Sequence, residues 1–256
     1  MDPTTLALLL IVLFFFIALL YSSIGFGGGS SYLALLSIFY TNFEFIRTTA
    51  LVCNVAVVLG SVLLYYKSGL MDWKRFLPFV AVSIPAAFIG AQFQLSQQVF
   101  FILLGLSLVA SAILLLIKTL RSPGAKKKNY PTDSTLALGG GVGLLSGVVG
   151  IGGGIFLSPV LNLMRWDEPR KIAALASFFI LANSVSGLGG LVASNSLVTD
   201  LPLQLLLIFA VFAGGQLGIR LSLGIIKPDL IKSLTAVLVL YVGVRLVLLY
   251  SLGIKI

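Results

Sequence analysis

The chain alternates long apolar runs with short polar punctuation. No Asp, Glu, Lys, Arg or His occurs from Pro3 to Phe43, Leu77 to Ile117, Ser134 to Met164, Ile172 to Thr199, or Leu201 to Ile219. About 20 apolar residues cross a bilayer, so several of these runs hold more than one crossing. Ten apolar segments can be marked, at 4–23, 30–41, 46–66, 76–93, 99–117, 135–149, 155–164, 172–194, 201–222 and 230–252. Each predicts a helix, because a lone strand would leave its backbone unpaired in lipid. Segments 30–41 and 155–164 are too short to span. At 1.5 Å per residue they cover about half of a ~30 Å hydrocarbon core.

Both short segments follow a glycine cluster. Ile24-Gly25-Phe26-Gly27-Gly28-Gly29 returns 125 residues later as Val149-Gly150-Ile151-Gly152-Gly153-Gly154. The repeat divides the chain into an N-terminal transmembrane unit (1–117), a basic linker (118–134) holding Lys118, Arg121, Lys126, Lys127 and Lys128, and a C-terminal transmembrane unit (135–256). Five segments per unit is an odd number, so the second unit enters the membrane in the opposite sense. The expected fold is therefore an all-α polytopic membrane protein of two inverted repeats of about five segments each, eight to ten in total, with broken helices at the glycine turns. Paired interruptions of this kind mark transporters. Arg47-Thr48-Thr49-Ala50-Leu51 aligns with Lys171-Ile172-Ala173-Ala174-Leu175, which extends the repeat beyond the glycines.

Composition agrees with this reading and removes others. Charged residues make up 10% of the chain, against about 25% in soluble domains. The net charge of +9 resides in loops, where it reads as topology and not as a nucleic-acid surface. With the linker placed in the cytoplasm, Lys67–Arg75, Arg165–Lys171 and Arg220–Lys232 fall inside, all net basic. Asn42–Arg47, Gln94–Gln98 and Asn195–Asp200 fall outside, with two acids and one Arg between them. The opening segment lacks a basic leader and a small-residue cleavage site, and reads as a retained crossing. The single cysteine, Cys53, offers no disulfide framework and no thiol metal site.

The glycine turns are the first candidates for chemistry. They lack the Lys-Ser/Thr of a phosphate-binding loop and the strand of a dinucleotide fold. One reading is close helix packing through small residues, as Gly139-Gly140-Gly141-x-Gly143 also suggests. The other is a chain break whose next helix opens with free N–H groups, an anion site that needs no basic side chain. On the second reading the backbone of Gly25, Gly27, Gly28 and Gly29, and of Gly150, Gly152, Gly153 and Gly154, binds a small anionic substrate. Ser22, Ser23, Ser30, Ser31 and Tyr32, and Ser146 and Ser158, stand near enough to complete the coordination. Asn54, Gly60 and Ser61 in the third segment, and Ser177, Asn183, Ser184, Ser186 and Gly187 in the eighth, add polar groups at crossing depth. Asn183, Ser186, Gly187 and Gly190 share one helical face. Ordinary interhelical hydrogen bonding is the competing account of these groups, and Gln92 and Gln216 are similar cases. Phe26 and Ile151 are candidate apolar plugs at the turns. Arg47 and Lys171 open corresponding helices and are either attracting charges at the two mouths or interfacial anchors.

The chain has no histidine, and its eight acids lie near or outside the segment ends. Proton-driven carriers usually hold an intramembrane carboxylate or histidine. Membrane-embedded catalysis, a cofactor and a bound metal are accordingly not expected. An anion leaving a cell that is negative inside gains about 2.3 kcal/mol per charge per 100 mV, so the potential alone can drive export.

The paired Gly-x-Gly-Gly-Gly turns, each after a hydrophobic opener and each before an Arg/Lys-x-x-Ala-Leu helix start, together with the basic central loop, resemble the TauE/SafE family of sulfite-exporter-like permeases. The resemblance covers about Leu6 to Leu252. It implies a bacterial-type inner-membrane permease that exports sulfite or small organosulfonates such as sulfoacetate. This chain carries Ala173-Ala174 where that family commonly has a Gly-Thr or Gly-Ser pair. A carrier or channel for another small anion, such as thiosulfate or a carboxylate, and a non-transporting scaffold are the other classes the residues allow.

Overall fold

The computed structural model describes residues 2–93, 95–120, 130–224 and 228–253. The centre of the basic linker, including Arg121 and Lys126–Lys128, lies outside the described residues. Among the described residues ten α-helices follow one another: α1 (Pro3–Ser22), α2 (Gly29–Phe39), α3 (Phe43–Lys67), α4 (Trp73–Ala91), α5 (Gln97–Leu120), α6 (Thr132–Val149), α7 (Gly154–Met164), α8 (Pro169–Ala193), α9 (Leu201–Gly224) and α10 (Pro228–Val247), the last continued by a π-turn over Leu248–Leu252. Each matches one apolar segment of the sequence.

Local chemistry sets the helix ends. The Asn42 side chain accepts from Phe45 N at 3.0 Å and caps α3, with Glu44 in the favourable first turn. Asp72 caps α4 in the same way. Proline opens α1 and α8, where its missing N–H costs nothing. The short helices α2 and α7 begin after Gly28 and Gly153, whose φ values of 92° and 81° lie in the left-handed region that a side chain disfavours. These two residues break the helical path and let the next helix start on a new axis.

Among the described residues, six helices are long and apolar enough to cross a membrane: α1, α3, α4, α5, α8 and α9. The helices α2 and α7 have 11 residues each, a rise of about 16 Å. Outward-facing side chains such as Phe209 (71% exposed), Leu201, Leu77 and Phe16 are large and apolar, as lipid contact requires.

The helices pack in a reciprocal pattern. α1 lies on α9 and α6 on α4; α3 meets α9 and α8 meets α4; α2 lies on α3 and α7 on α8. α3 also packs on α8, and α5 on α10. Exchanging α1–α5 for α6–α10 carries this set of pairs onto itself, as a twofold relation does. Small residues make the close approaches possible. Gly139 and Gly143 of α6 face the backbone of Phe79 and Ser83 in α4, and Gly214 and Gly218 of α9 face Phe15 and Leu19 in α1.

Loop contacts sort the connections into two groups. Arg75, in the first turn of α4, pairs with Asp167 before α8, and Tyr130 Oη donates to Met164 O at 2.7 Å. At the opposite end of α3, Thr48 accepts from Val198 N at 3.3 Å and Thr49 from Gln204 Nε2 at 3.0 Å. These are the same two groups that the loop charges separate.

Candidate functional site

The two glycine turns meet at the middle of the helix bundle. Asn54, the twelfth residue of the 25-residue α3, packs on Gly27 and Gly29. Ile180, the twelfth residue of the 25-residue α8, packs on Gly152 and Gly154. Each turn is also held by the opposite half. Asn54 Nδ2 donates to Ile151 O at 3.2 Å, and Ser177 Oγ donates to Gly25 O at 3.2 Å. A shared cavity of about 10 Å³ separates the turns, the room that a single water needs. It is lined by Phe26, Gly27, Gly28, Gly29 and Ser30 from the first turn, Ile151 and Ile155 from the second, and Tyr21 and Ile180. The α2 and α7 N-termini thus flank one point near mid-membrane. Their first N–H groups lack the carbonyl one turn earlier that an interior residue bonds.

Buried polar atoms without a partner surround this point. Among the described residues they are Ser22 Oγ, Tyr32 Oη, Arg47 Nε, Asn54 Oδ1, Ser146 Oγ, both side-chain atoms of Asn183, Ser184 Oγ and Gln216 Nε2. Folded proteins leave few such groups unpaired. Several lie against the turns themselves. A methyl group at Gly28 would come within 2.8 Å of Tyr32 Oη, one at Gly152 within 2.8 Å of Ser184 Oγ, and one at Gly153 within 3.2 Å of Ser146 Oγ. Gln216 packs on Gly60 of α3. The hydroxyl-bearing Tyr21, fully buried and bonded to Ser31 Oγ at 2.6 Å, joins the cavity lining without any sequence signal.

Other residues singled out by sequence are engaged elsewhere. Ser186 Oγ donates to Ile84 O at 2.6 Å and ties α8 to α4. Ser158 accepts from Asn162 Nδ2 within α7, and Ser23 Oγ bonds Leu20 O at 2.5 Å within α1. Lys171 is half-buried and lines a surface cleft with Gly69, Leu70, Met71, Asp72, Trp73 and Lys74, away from the turns.

Arg47 differs most from its expected position. It is only 5% exposed, not a solvated charge at a mouth. Its Nη2 donates to Ala91 O at 3.4 Å and Gly147 O at 3.3 Å, both in the last turns of helices, where a cation complements the dipole. Its guanidinium lies over Phe43 and Phe100 at 5.6 and 5.4 Å from the ring centroids. The aligned partner changes as well. A methyl at Gly150 would face Arg47, and one at Gly25 would face Ala173. Together with Asn54 and Ile180, and with Val58 at Gly27 and Ser184 at Gly152, these contacts relate α3 to α8 by 126 residues. Arg47 therefore corresponds to Ala173, two residues beyond the Lys171 that the sequence alignment selects.

A bundle of apolar helices broken twice at mid-depth, with polar groups gathered at the breaks, defines a multi-pass membrane transporter. The chain belongs to the sulfite exporter TauE/SafE family, whose model matches residues 10–246. It is 32% identical over 233 residues to the probable membrane transporter protein y4hK of Sinorhizobium fredii (strain NBRC 101917 / NGR234), covering 90% of this chain and 93% of that one. It is 26% identical over 253 residues to the probable membrane transporter protein YunE of Bacillus subtilis (strain 168), covering 88% and 92%. No solved structure gives a significant match.

Proposed function

We propose that the protein is a secondary permease that moves a small sulfur-containing anion, sulfite or an organosulfonate such as sulfoacetate, out of the cell by alternating access. The observation that carries this reading is the meeting of two half-helix N-termini around one cavity at mid-depth. Each N-terminus supplies a partial positive charge and free N–H donors, and together they suit a compact oxyanion with several acceptor oxygens. Phe26 and Ile151, both in the cavity lining, act as the apolar plugs that keep water out on either side. The reciprocal helix pairing supports two inverted units, one rocking against the other about the turns. The membrane potential supplies about 2.3 kcal/mol per charge per 100 mV for export.

The test is flux in proteoliposomes with an imposed potential. Saturable, potential-dependent movement of sulfite or sulfoacetate is the expected result. Wild-type flux from a variant with bulky residues at both Gly28 and Gly153 would refute the role of the turns. Flux that never saturates would replace the carrier with an open conduit.

A further inference from the structure

The two halves of the site are chemically unequal, and the inequality lies at Arg47. Its counterpart by the 126-residue relation is Ala173, so the position that holds a cation against the second turn is neutral against the first. That cation has no carboxylate within ion-pairing distance among the described residues; Glu44, the acid on its own helix, is exposed. The two carbonyl bonds at 3.3–3.4 Å are longer than the 2.7–2.9 Å of a strong charge-assisted bond. The helix C-terminal dipoles and the faces of Phe43 and Phe100 offset part of the cost of this buried charge, and a full counter-charge would offset more. The unpartnered Nε lies beside the second turn. A methyl placed on Gly150 would lie 3.6 Å from it and would meet no other residue within 4 Å. Ser146, whose carbonyl closes the same turn by accepting from Gly150 N at 2.7 Å, holds its own hydroxyl unpartnered, and so does Ser184 beside Gly152. The first turn has Ser22, Tyr32 and Asn54 near it but no charge.

We infer that Arg47, Ser146 and Ser184 form the charge-selecting half of the substrate site and restrict the cargo to compact monoanions with an oxyanion head, such as a sulfonate or hydrogensulfite. This rests on the permease reading above and narrows its cargo by charge, to hydrogensulfite and singly charged sulfonates and away from sulfoacetate, whose sulfonate and carboxylate make it a dianion at neutral pH. One buried guanidinium neutralises one negative charge. A dianion would carry its second charge into the low-dielectric core against only the partial charges of the two helix N-termini, with no second full cation at the first turn among the described residues to offset its desolvation. The hydroxyls and α7 N–H groups add donors for the remaining oxygens without adding charge.

The experiment compares methanesulfonate with sulfate, which share a tetrahedral sulfur–oxygen head and differ by one charge. Binding to the purified full-length protein is measured by ligand-dependent thermal stabilisation. The wild type should bind methanesulfonate about tenfold or more tighter than sulfate, and Arg47→Gln should lose about tenfold in methanesulfonate affinity together with the discrimination. Arg47→Lys should keep the preference for one charge but bind more weakly, because it lacks the planar fork. A monodisperse Arg47→Gln variant that retains both affinity and discrimination overturns the inference while leaving the permease reading intact. A wild type that prefers sulfate does the same. A wild type that binds neither of these nor sulfite overturns the inference and removes the sulfur-anion reading with it. Should Arg47→Gln not fold, the Ser146→Ala/Ser184→Ala variant supplies the outcome: several-fold weaker methanesulfonate binding supports the site, and unchanged binding overturns it.

Discussion

Asn54 Nδ2 donates to the carbonyl oxygen of Ile151 at 3.2 Å, so a side chain at the centre of α3 holds the glycine turn of the opposite half. The same side chain packs on Gly27 and Gly29 of its own half, and its Oδ1 stays unpaired. Asn54 therefore touches both turns, and a shift of one turn against the other would change its contacts.

Removing that link should harm transport more than folding. Asn54→Ala loses one interhelical hydrogen bond, about 0.6–1.7 kcal/mol inside a membrane protein. The melting temperature should fall modestly while sulfite flux in proteoliposomes falls severalfold or more. Asn54→Asp would place a negative charge beside the anion path and should abolish flux in protein that still inserts. Equal flux from wild type and Asn54→Asp would exclude Asn54 from the path.

The Gly28 turn is intolerant for a different reason. A side chain at φ 92° costs about 1–2 kcal/mol, and its first carbon would sit 2.8 Å from the Tyr32 ring. Tyr32→Ala is itself destabilising, since the ring is fully buried and stacked on Phe14, but Gly28→Ala should cost less in that background than in the wild type, because the clash is relieved while the backbone strain persists. Melting curves of the three variants measure this, and an equal cost in both backgrounds would assign the whole of it to the backbone.

One face of the bundle is closed by charge. Arg75 pairs with Asp167, donates to Trp166 O at 3.1 Å and lies 4.2 Å from the Trp166 ring centroid. The Asp167 side chain is 1% exposed and that of Arg75 34%, so solvent screens the cation more than its partner. Asp167→Asn should destabilise the protein by about 1–3 kcal/mol. It should also raise the labelling of a cysteine at Ser177, which borders the first turn, from that face. Arg75→Lys keeps the charge but loses the stacking and should give an intermediate effect.

Labelling tests the proposed inverted arrangement. In a Cys53→Ala background, Ser68→Cys and Thr199→Cys place single exposed thiols on the two loop groups. A membrane-impermeant maleimide should label Thr199→Cys in intact cells and Ser68→Cys only after permeabilisation. Labelling of both from one side would contradict the inverted repeat.

The helices and their breaks were legible in the linear pattern because hydropathy, proline and glycine act locally. Each apolar segment became one helix, and Gly28 and Gly153 interrupt the path where a left-handed backbone is needed. The facing of the polar side chains was not legible. Ser186 shares a helical face with Asn183 yet bonds to Ile84 of α4, while Asn183 stays buried and unpartnered. The rotation of α8 that separates them is set by close packing, such as Gly190 against the Phe88 carbonyl.

The case of Arg47 shows the same division. Charge type and helix start align it with Lys171, and sequence offers no reason to shift by two residues. The shift follows from where the turns land on α3 and α8, with Gly150 at Arg47 and Gly25 at Ala173. By itself the sequence determined a membrane-embedded helical chain, doubled about two glycine breaks, because burial in lipid and backbone conformation are properties of short segments. Only the tertiary structure decided that the breaks meet at one cavity, that Asn54 bridges them, and that Arg47 is buried beside the second with no carboxylate paired to it among the described residues. Those relations join residues about 100 positions apart, and their geometry depends on the packing of every helix between.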